Sequence, residues 1–528
     1  MILAVVSDEA QRAALAEALE RRYSADYEIV AVPGRPDPGA ILAGLDTVAV
    51  ALAPIRSEEF AALIAVRNAH PAARRIAVVE VGDVSVAADL SRALTLGEVD
   101  YYVGQPWASP EEELYPVVGE ALRAWSYDRQ QRFAKATVVD APGSGRGEQL
   151  VAWLGRNGVA ARFHRSDSVE GQDLRAGPLA DLQLPSALLW DGRRLGNPTE
   201  VELAYALGAR TRPERDLYDI AIVGAGPAGL AAAVYSASEG LHAVVVEEYA
   251  VGGQAGTSAK IRNYLGFPWG VRGADLAAQA SRQAEQLGAE FVVARRAVDL
   301  RVEGDERVLT VIGGDIVRCS SIILAGGVSY RRLGVPSVDG LIGHGVFYGA
   351  AASEAQTMGG LRVFVLGGGN SAGQAAAQLA DAGAEVTVLI RSDSLAKSMS
   401  DYLVQQLEGT PNVTVRPRSQ VTGALGQHHL AGLVLTDVAN GSSTTADADA
   451  LFVFIGARPH TEWLHRVVEL DTNGFIVTGR EGASWLETSI PGVYAAGDIR
   501  AGSIKRVAAA VGEGSTAAML ALARLTAT

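Results

Sequence analysis

The sequence predicts an α/β protein of several domains, and three observations carry that prediction. Short apolar runs alternate with helical stretches from the first residues onward, the pattern of a parallel sheet covered by helices. A strand, a glycine-rich turn, a helix and a second strand occur in that order twice, at 219–247 and again at 362–391. The 528 residues are too many for one core and suggest about three domains. A hydrophobic content of 48% with 20% charged residues is that of a soluble globular protein, and a net charge of −14 opposes binding to nucleic acid. No apolar run reaches the roughly 18 residues of a membrane span, and Asp8 and Glu9 follow the opening MILAVV at once. A buried first strand is therefore expected rather than a signal peptide, with a cytoplasmic location and no membrane partner. The single cysteine, Cys319, excludes an internal disulfide or a multi-cysteine metal site, the eight histidines show no metal-like spacing, and no metal is expected.

Residues 1–128 supply strands in ILAVV, DTVAVALAP, RRIAVVEV and VDYYVGQP, with EAQRAALAEALERRY as the first helix. Their order resembles a response-regulator receiver domain, a doubly wound fold. Receiver chemistry needs an acidic cluster, an acceptor aspartate and a lysine. Asp8 keeps part of the cluster, counting back four from Pro54 puts the acceptor at Val50, and the lysine position before Pro106 is Gln105. The expectation is a receiver scaffold without its chemistry. After a polar linker at 129–135, residues 133–212 read strand ATVVDA, helix GEQLVAWLGRNG, strand AARFHR, then Leu184-Pro185 and a hairpin turning at Asp191-Gly192. This resembles a glutaredoxin or thioredoxin fold, in which Cys-x-x-Cys follows the first strand. Here that place reads Ala141-Pro142-Gly143-Ser144.

The first glycine turn, DIAIVGAGPAGLAAAVYSASEGLHAVVVEE, joins a strand to a helix that opens at a phosphate-binding position. Gly224 permits the tight turn, Gly226 lets backbone approach a pyrophosphate, and Gly229 allows close helix packing. Eighteen residues after Gly229, Glu247 ends the second strand, where a carboxylate can bind ribose hydroxyls. With GGQAGTSAKIRNYLGFP, IILAGGVSYRRLGVP and VYAAGDIRAGSIKRVAAAVGEG following in order, the chain from Asp216 to Thr528 resembles the thioredoxin-reductase family of flavoproteins. The resemblance implies FAD bound by a domain of residues 216–333 and 459–528. It places Pro227, Ala228, Gly253, Gln254, Asn263, Ala325, Gly326 and Gly497 around the flavin nucleotide, Asp498 at the ribityl chain or phosphate, and Arg506, Val507 and Ala508 at the isoalloxazine ring.

The second turn, RVFVLGGGNSAGQAAAQLADAGAEVTVLIR, lies in an inserted NAD(P)H-binding domain expected at 334–458. Gly367, Gly369 and Ala372 take the three glycine places, Asn370 and Ser371 open the helix, and Ile455 and Gly456 belong to the closing segment. Arg391 stands where an NAD-binding domain would carry an acid. A guanidinium there can pair with a 2′-phosphate, so NADPH is favoured over NADH, with Lys397 as the one nearby support. The linkers at 330–336 and 456–459 are candidate hinges by analogy with the family.

In thioredoxin reductases the segment opening the inserted domain holds Cys-x-x-Cys. Here it reads Gly349-Ala350-Ala351-Ala352-Ser353, and serine cannot form a disulfide. Cys319 reads as a buried hydrophobe. Electrons are therefore expected to pass directly from reduced flavin to a small-molecule or protein acceptor such as a quinone, an organic disulfide or oxygen. Two alternatives stay open: a ferredoxin-NADP reductase-type enzyme, and a non-enzymatic redox sensor signalling through the N-terminal domains. No general acid or base is assigned, and a homodimer is expected.

Overall fold

A computed structural model describes residues 1–527 apart from 35–36, 43, 56–58, 131–133, 259–260, 262, 268–269, 349–354 and 428. Five parallel strands open the chain: β1 (Ile2–Val5), β2 (Ile29–Val32), β3 (Val50–Pro54), β4 (Arg74–Glu80) and β5 (Tyr101–Gln105), in the order β2-β1-β3-β4-β5. That order is the flavodoxin-like form of the doubly wound sheet. Helices α1 (Glu9–Tyr23), α2 (Phe60–Ala69), α3 (Ala87–Thr95) and α4 (Tyr115–Gln130) connect or follow the strands. Strand β2, the apolar run Ile29–Val32, adds a half-buried edge strand to those read off the sequence. Asp8 caps α1, its Oδ1 accepting from the Gln11 N–H at 2.8 Å.

The acceptor position inferred from Pro54 needs correction. Val50 begins β3 and pairs with Ile2, whereas Asp8 and Gln105 stand at the opposite, carboxyl ends of the strands. Counting back from Pro54 assumes a proline beyond the strand, but here Pro54 is its last residue and pairs with Val78. The end of β3 carries Ala53 and Pro54, so no carboxylate occupies that place either.

The next block contains β6 (Ala136–Asp140), α5 (Arg146–Arg156), β7 (Ala161–Arg165), α6 (Val169–Ala176), β8 (Ser186–Leu189), β9 (Arg194–Gly196) and α7 (Glu200–Ala206), with sheet order β7-β6-β8-β9. Only the β6–β7 pair is parallel. The Leu184–Pro185 bond is cis, and Gly192 turns the β8–β9 hairpin at φ +86°. Asp140, almost fully buried, fastens the Ala141–Ser144 loop by accepting from the Ala141 and Gly147 N–H groups, each at 2.7 Å. Thr199 and Glu202 form a capping box that starts α7.

The two glycine turns then organise two similar sheets. The first has β10 (Tyr218–Val223), α8 (Pro227–Ser238), β11 (Ala243–Glu247), α9 (Gly273–Gln286), β12 (Glu290–Val293), β13 (Ala297–Glu303), β14 (Glu306–Val311) and β15 (Ile316–Leu324). Their order is β12-β11-β10-β15-β14-β13. Strand β16 (Val328–Tyr330) leaves that block for the inserted one, built from β17 (Val346–Tyr348), β18 (Arg362–Leu366), α10 (Asn370–Asp381), β19 (Glu385–Leu389), α11 (Asp401–Glu408) and β20 (Val413–Arg416). The meander β21 (Ser419–Leu425), β22 (Gly432–Asp437) and β23 (Ser443–Asp447) and strand β24 (Ala450–Val453) complete it, with parallel order β17-β24-β18-β19-β20. The chain returns through β25 (Ala457–Pro459), antiparallel to β16, then β26 (Val493–Ala495) beside β15, and ends in α12 (Val507–Ala527).

Two compact units result, residues 1–130 with 331–456, and residues 131–330 with 457–528. Their divisions fall at Tyr330/Arg331 and Gly456/Ala457, within the two linkers read as hinges. In the second unit, Trp153, Leu203 and Ala204 share an apolar cluster with Ala294, so the small four-stranded block is packed on the first glycine-turn block. Among the described residues no helix is long and apolar enough to cross a membrane.

Candidate functional site

The first site forms around the N-terminus of α8. Gly224 sits at φ +103°, and a Cβ there would lie 2.5 Å from the Ala325 carbonyl oxygen and 3.0 Å from Gly326 Cα. Gly229 is equally constrained, since its Cβ would stand 1.8 Å from Gly224 O. Gly226 is different: its backbone is extended, and a Cβ would meet nothing within 4 Å. The fold itself does not require glycine at 226, and the open space beside it fits a bound pyrophosphate at the positive end of α8.

Most residues assigned to FAD converge here. Gly253 packs on Gly226, 3.1 Å separating Gly226 Cα from a Cβ built on Gly253. Gly497 lies beside Ala228, and Val507 lines the same cavity as Pro227. Ala508 follows in the first turn of α12. Gln254 is exposed in the turn after Gly253, and Asn263 is exposed between the bridged residues Ile261 and Val271.

Glu247 is buried, and three backbone N–H groups surround its carboxylate. Oε2 accepts from Ala225 at 2.6 Å, while Oε1 accepts from Tyr249 at 2.7 Å and Ala250 at 3.1 Å. Burial pushes its pKa up and these donors oppose the shift. A carboxylate accepts about four hydrogen bonds, so one acceptor position is left for a ribose hydroxyl. Asp498 is half-buried, and among the described residues its carboxylate takes part in no hydrogen bond. Burial raises its pKa, partly offset by Lys505 and Arg506. A partly desolvated carboxylate with no hydrogen-bond partner among the described residues fits a residue that binds cofactor hydroxyls.

Three features of this site were not read from the sequence. Glu513 of α12, 5% exposed, accepts from Gly497 N–H at 2.7 Å and forms an ion pair with Arg500, tying the helix to the 497–500 turn. Tyr330 feels the charges of Asp498 and Arg506, and burial pushes its phenol to about 12. His460 Nδ1 lies 2.9 Å from Gly326 O, and its Nε2 lies 2.6 Å from Ser329 Oγ. Because a carbonyl only accepts, Nδ1 carries the proton and Nε2 accepts from the serine.

The second site repeats the design in the other unit. Gly367 has φ +149°, and its Cβ would be 2.3 Å from Phe454 O, the residue before Ile455 and Gly456. Ala372, 1% exposed, packs where the first site has Gly229. Gly369 is extended, the nearest atom to its would-be Cβ being Ser398 O at 4.0 Å. Ser371 follows on the exposed first turn of α10, and the Asn370 amide is spent on Ser400, donating to its Oγ at 2.9 Å and accepting from its N–H at 2.8 Å. Arg391 is exposed and has no ion pair among the described residues. Lys397 is paired with Asp393 at 3.3 Å.

Cys319 lies in β15 and is fully buried, its Sγ donating to Arg307 O at 3.4 Å, and burial pushes the thiol up to about 12. The segment Gly349–Ser353 lies outside the described residues.

Residues 218–514 match the family described as pyridine nucleotide-disulphide oxidoreductase. An alkyl hydroperoxide reductase subunit of Staphylococcus epidermidis is 29% identical over 339 residues, 63% of this chain and 65% of that protein. NADPH-dependent thioredoxin reductase 3 of Arabidopsis thaliana is 33% identical over 323 residues, 58% of each chain. The chain thus spans less than two thirds of either relative's own length. A solved thioredoxin reductase from Streptococcus pyogenes is 28% identical with a TM-score of 0.55, the match covering 59% of this chain and 99% of that one.

Proposed function

We propose that this chain, which belongs to the pyridine nucleotide-disulphide oxidoreductase family, is an NADPH-dependent flavoenzyme that delivers electrons from reduced flavin directly to a small-molecule or protein acceptor. FAD and NADPH are its cofactors. When bound, they supply the two-electron chemistry, FAD being reduced by NADPH and reoxidised by the acceptor.

The chain's own residues bind and orient. The N-terminus of α8 and the open space at Gly226 would receive the FAD pyrophosphate, the remaining acceptor position of Glu247 the ribose, and Asp498 the ribityl hydroxyls. Gly369 and the start of α10 would receive the NADPH pyrophosphate, and Arg391 the 2′-phosphate. The observation that carries the absence of a dithiol relay is Cys319. The only cysteine of the sequence is sealed in a strand with its thiol raised to about 12, so it supplies no thiolate at neutral pH.

The test is anaerobic NADPH consumption with a quinone, and separately with thioredoxin as sole acceptor. Turnover with the quinone that survives Cys319→Ala is expected, with none through thioredoxin. Efficient thioredoxin reduction abolished by Cys319→Ala would refute the reading.

We propose further that the first two blocks are a receiver and a thioredoxin-type fold without their chemistry, a reading that the strand orders and the sequences at Gln105 and Ala141–Ser144 support. A homodimer is also proposed.

A further inference from the structure

The backbone on both sides of Arg391 is held by one neighbouring segment. The Arg418 N–H donates to Ser392 O at 3.1 Å, and the Ser419 N–H donates to Ile390 O at 2.9 Å. Arg418 adopts φ +48°, a left-handed conformation that a long side chain rarely takes, and its carbonyl accepts from the Val438 N–H at 2.8 Å. The surroundings therefore impose this geometry, which puts Arg418 on the strand end next to Arg391.

The other cations of this region are engaged. Arg416 donates to Thr444 Oγ1 at 2.8 Å, and Lys397 pairs with Asp393. Arg418 is half exposed and reaches its carboxylate partner Asp437 only at 3.8 Å, a weak surface pair. Two arginines thus stand on hydrogen-bonded backbone segments, Arg391 without an ion pair among the described residues and Arg418 loosely paired, and both can turn to an anion. A phosphate dianion suits that arrangement in charge and in its capacity to accept from both.

We propose that Arg418 is the second cation for the 2′-phosphate of NADPH, acting beside Arg391 in place of the lysine that sequence proximity suggests. This rests on the reading of Arg391 given above. Arg418 would then be a specificity residue that contacts the coenzyme, placed by the turn from β20 into β21.

The experiment is calorimetric binding of 2′,5′-ADP and of ADP, which lacks the 2′-phosphate, to the FAD-loaded protein and its variants. Arg418→Asn removes the charge while keeping a residue that tolerates left-handed backbone. It is expected to weaken 2′,5′-ADP about tenfold and leave ADP unchanged, in line with loss of one charge-assisted contact. Retained FAD reports that the variant is folded. Asp437→Asn frees Arg418 from its competing carboxylate and is expected to tighten 2′,5′-ADP about threefold. If Arg391→Ala erases the preference for 2′,5′-ADP while neither Arg418→Asn nor Asp437→Asn changes it, the role of Arg418 is refuted and that of Arg391 stands. If Arg391→Ala also leaves the preference intact, the reading of Arg391 falls with it.

Discussion

The two glycine turns share a backbone plan but end in opposite ways. In each, the first glycine is forced by a carbonyl from the neighbouring strand, at 2.5 Å in one and 2.3 Å in the other, and the second faces open space. At the third position they diverge. Gly229 lies so close to Gly224 that no side chain fits, whereas Ala372 is accommodated with its Cβ 3.2 Å from that of a substituted Gly367. The second strands lead to different residues: Glu247, a buried acid held by three N–H groups, ends β11, whereas the equivalent place after β19 holds buried Ile390, with exposed Arg391 one residue beyond and without an ion pair among the described residues. The acid is thus held by the fold as well as proposed for the ligand, while the arginine makes no ion pair among the described residues. Changes at the first turn should cost structure and cofactor together, and changes at the second should alter coenzyme choice with the fold intact.

The largest expected effect separates the first turn's own glycines. Gly229→Ala is expected to abolish folding of its unit, whereas Gly226→Ala should fold and lose FAD. Circular dichroism with the visible flavin spectrum distinguishes them, and a folded, yellow Gly229→Ala protein would break the contrast. Arg391→Ala comes next. Loss of a charged hydrogen bond worth about 1.5–3 kcal/mol should raise the NADPH KM about tenfold to a hundredfold, with the NADH KM and Tm unchanged. An equal rise for both coenzymes would remove Arg391 from the 2′-phosphate.

Asp498 gives a smaller effect of two signs. Because burial raises its pKa above 3.8, the FAD-free fold is favoured by protonation at low pH and loses that contribution as pH rises through the raised value. Asp498→Asn should therefore raise the Tm of FAD-free protein at pH 7 by about 2 °C, with the gap shrinking as pH is lowered toward 3.8. FAD should dissociate more readily from the same variant. A lowered Tm at pH 7 would mean that the carboxylate is stabilising without cofactor. The smallest effect is expected from Lys397→Ala, since its exposed pair with Asp393 contributes about 0–1 kcal/mol. A shift in coenzyme preference would give it the place assigned to Arg418.

By itself the sequence determined the α/β class, the two turns and the positions of Gly224, Gly229 and Gly367, because chirality and hard-sphere contact leave few residues able to occupy such sites. The single cysteine was equally plain, and so was an arginine close behind the second strand of the second turn, although the place equivalent to Glu247 is taken by Ile390. What only the tertiary structure decided are the pairings between distant residues. Glu513 sits among small helix residues with no local sign that Gly497 and Arg500 will neutralise it. Asn370 meets Ser400 thirty residues away, and Lys397 is taken by Asp393 instead of being left for a ligand. Val50 lies at the wrong end of β3 for an acceptor because a proline's position relative to a strand end is fixed by pairing. Arg418 approaches Arg391 only because β20 lies beside β19 and the turn that follows is bound to the 390–392 loop. Steric limits act within a few residues and are written locally, whereas the partner of a buried or surface charge is set by which strands the fold makes neighbours.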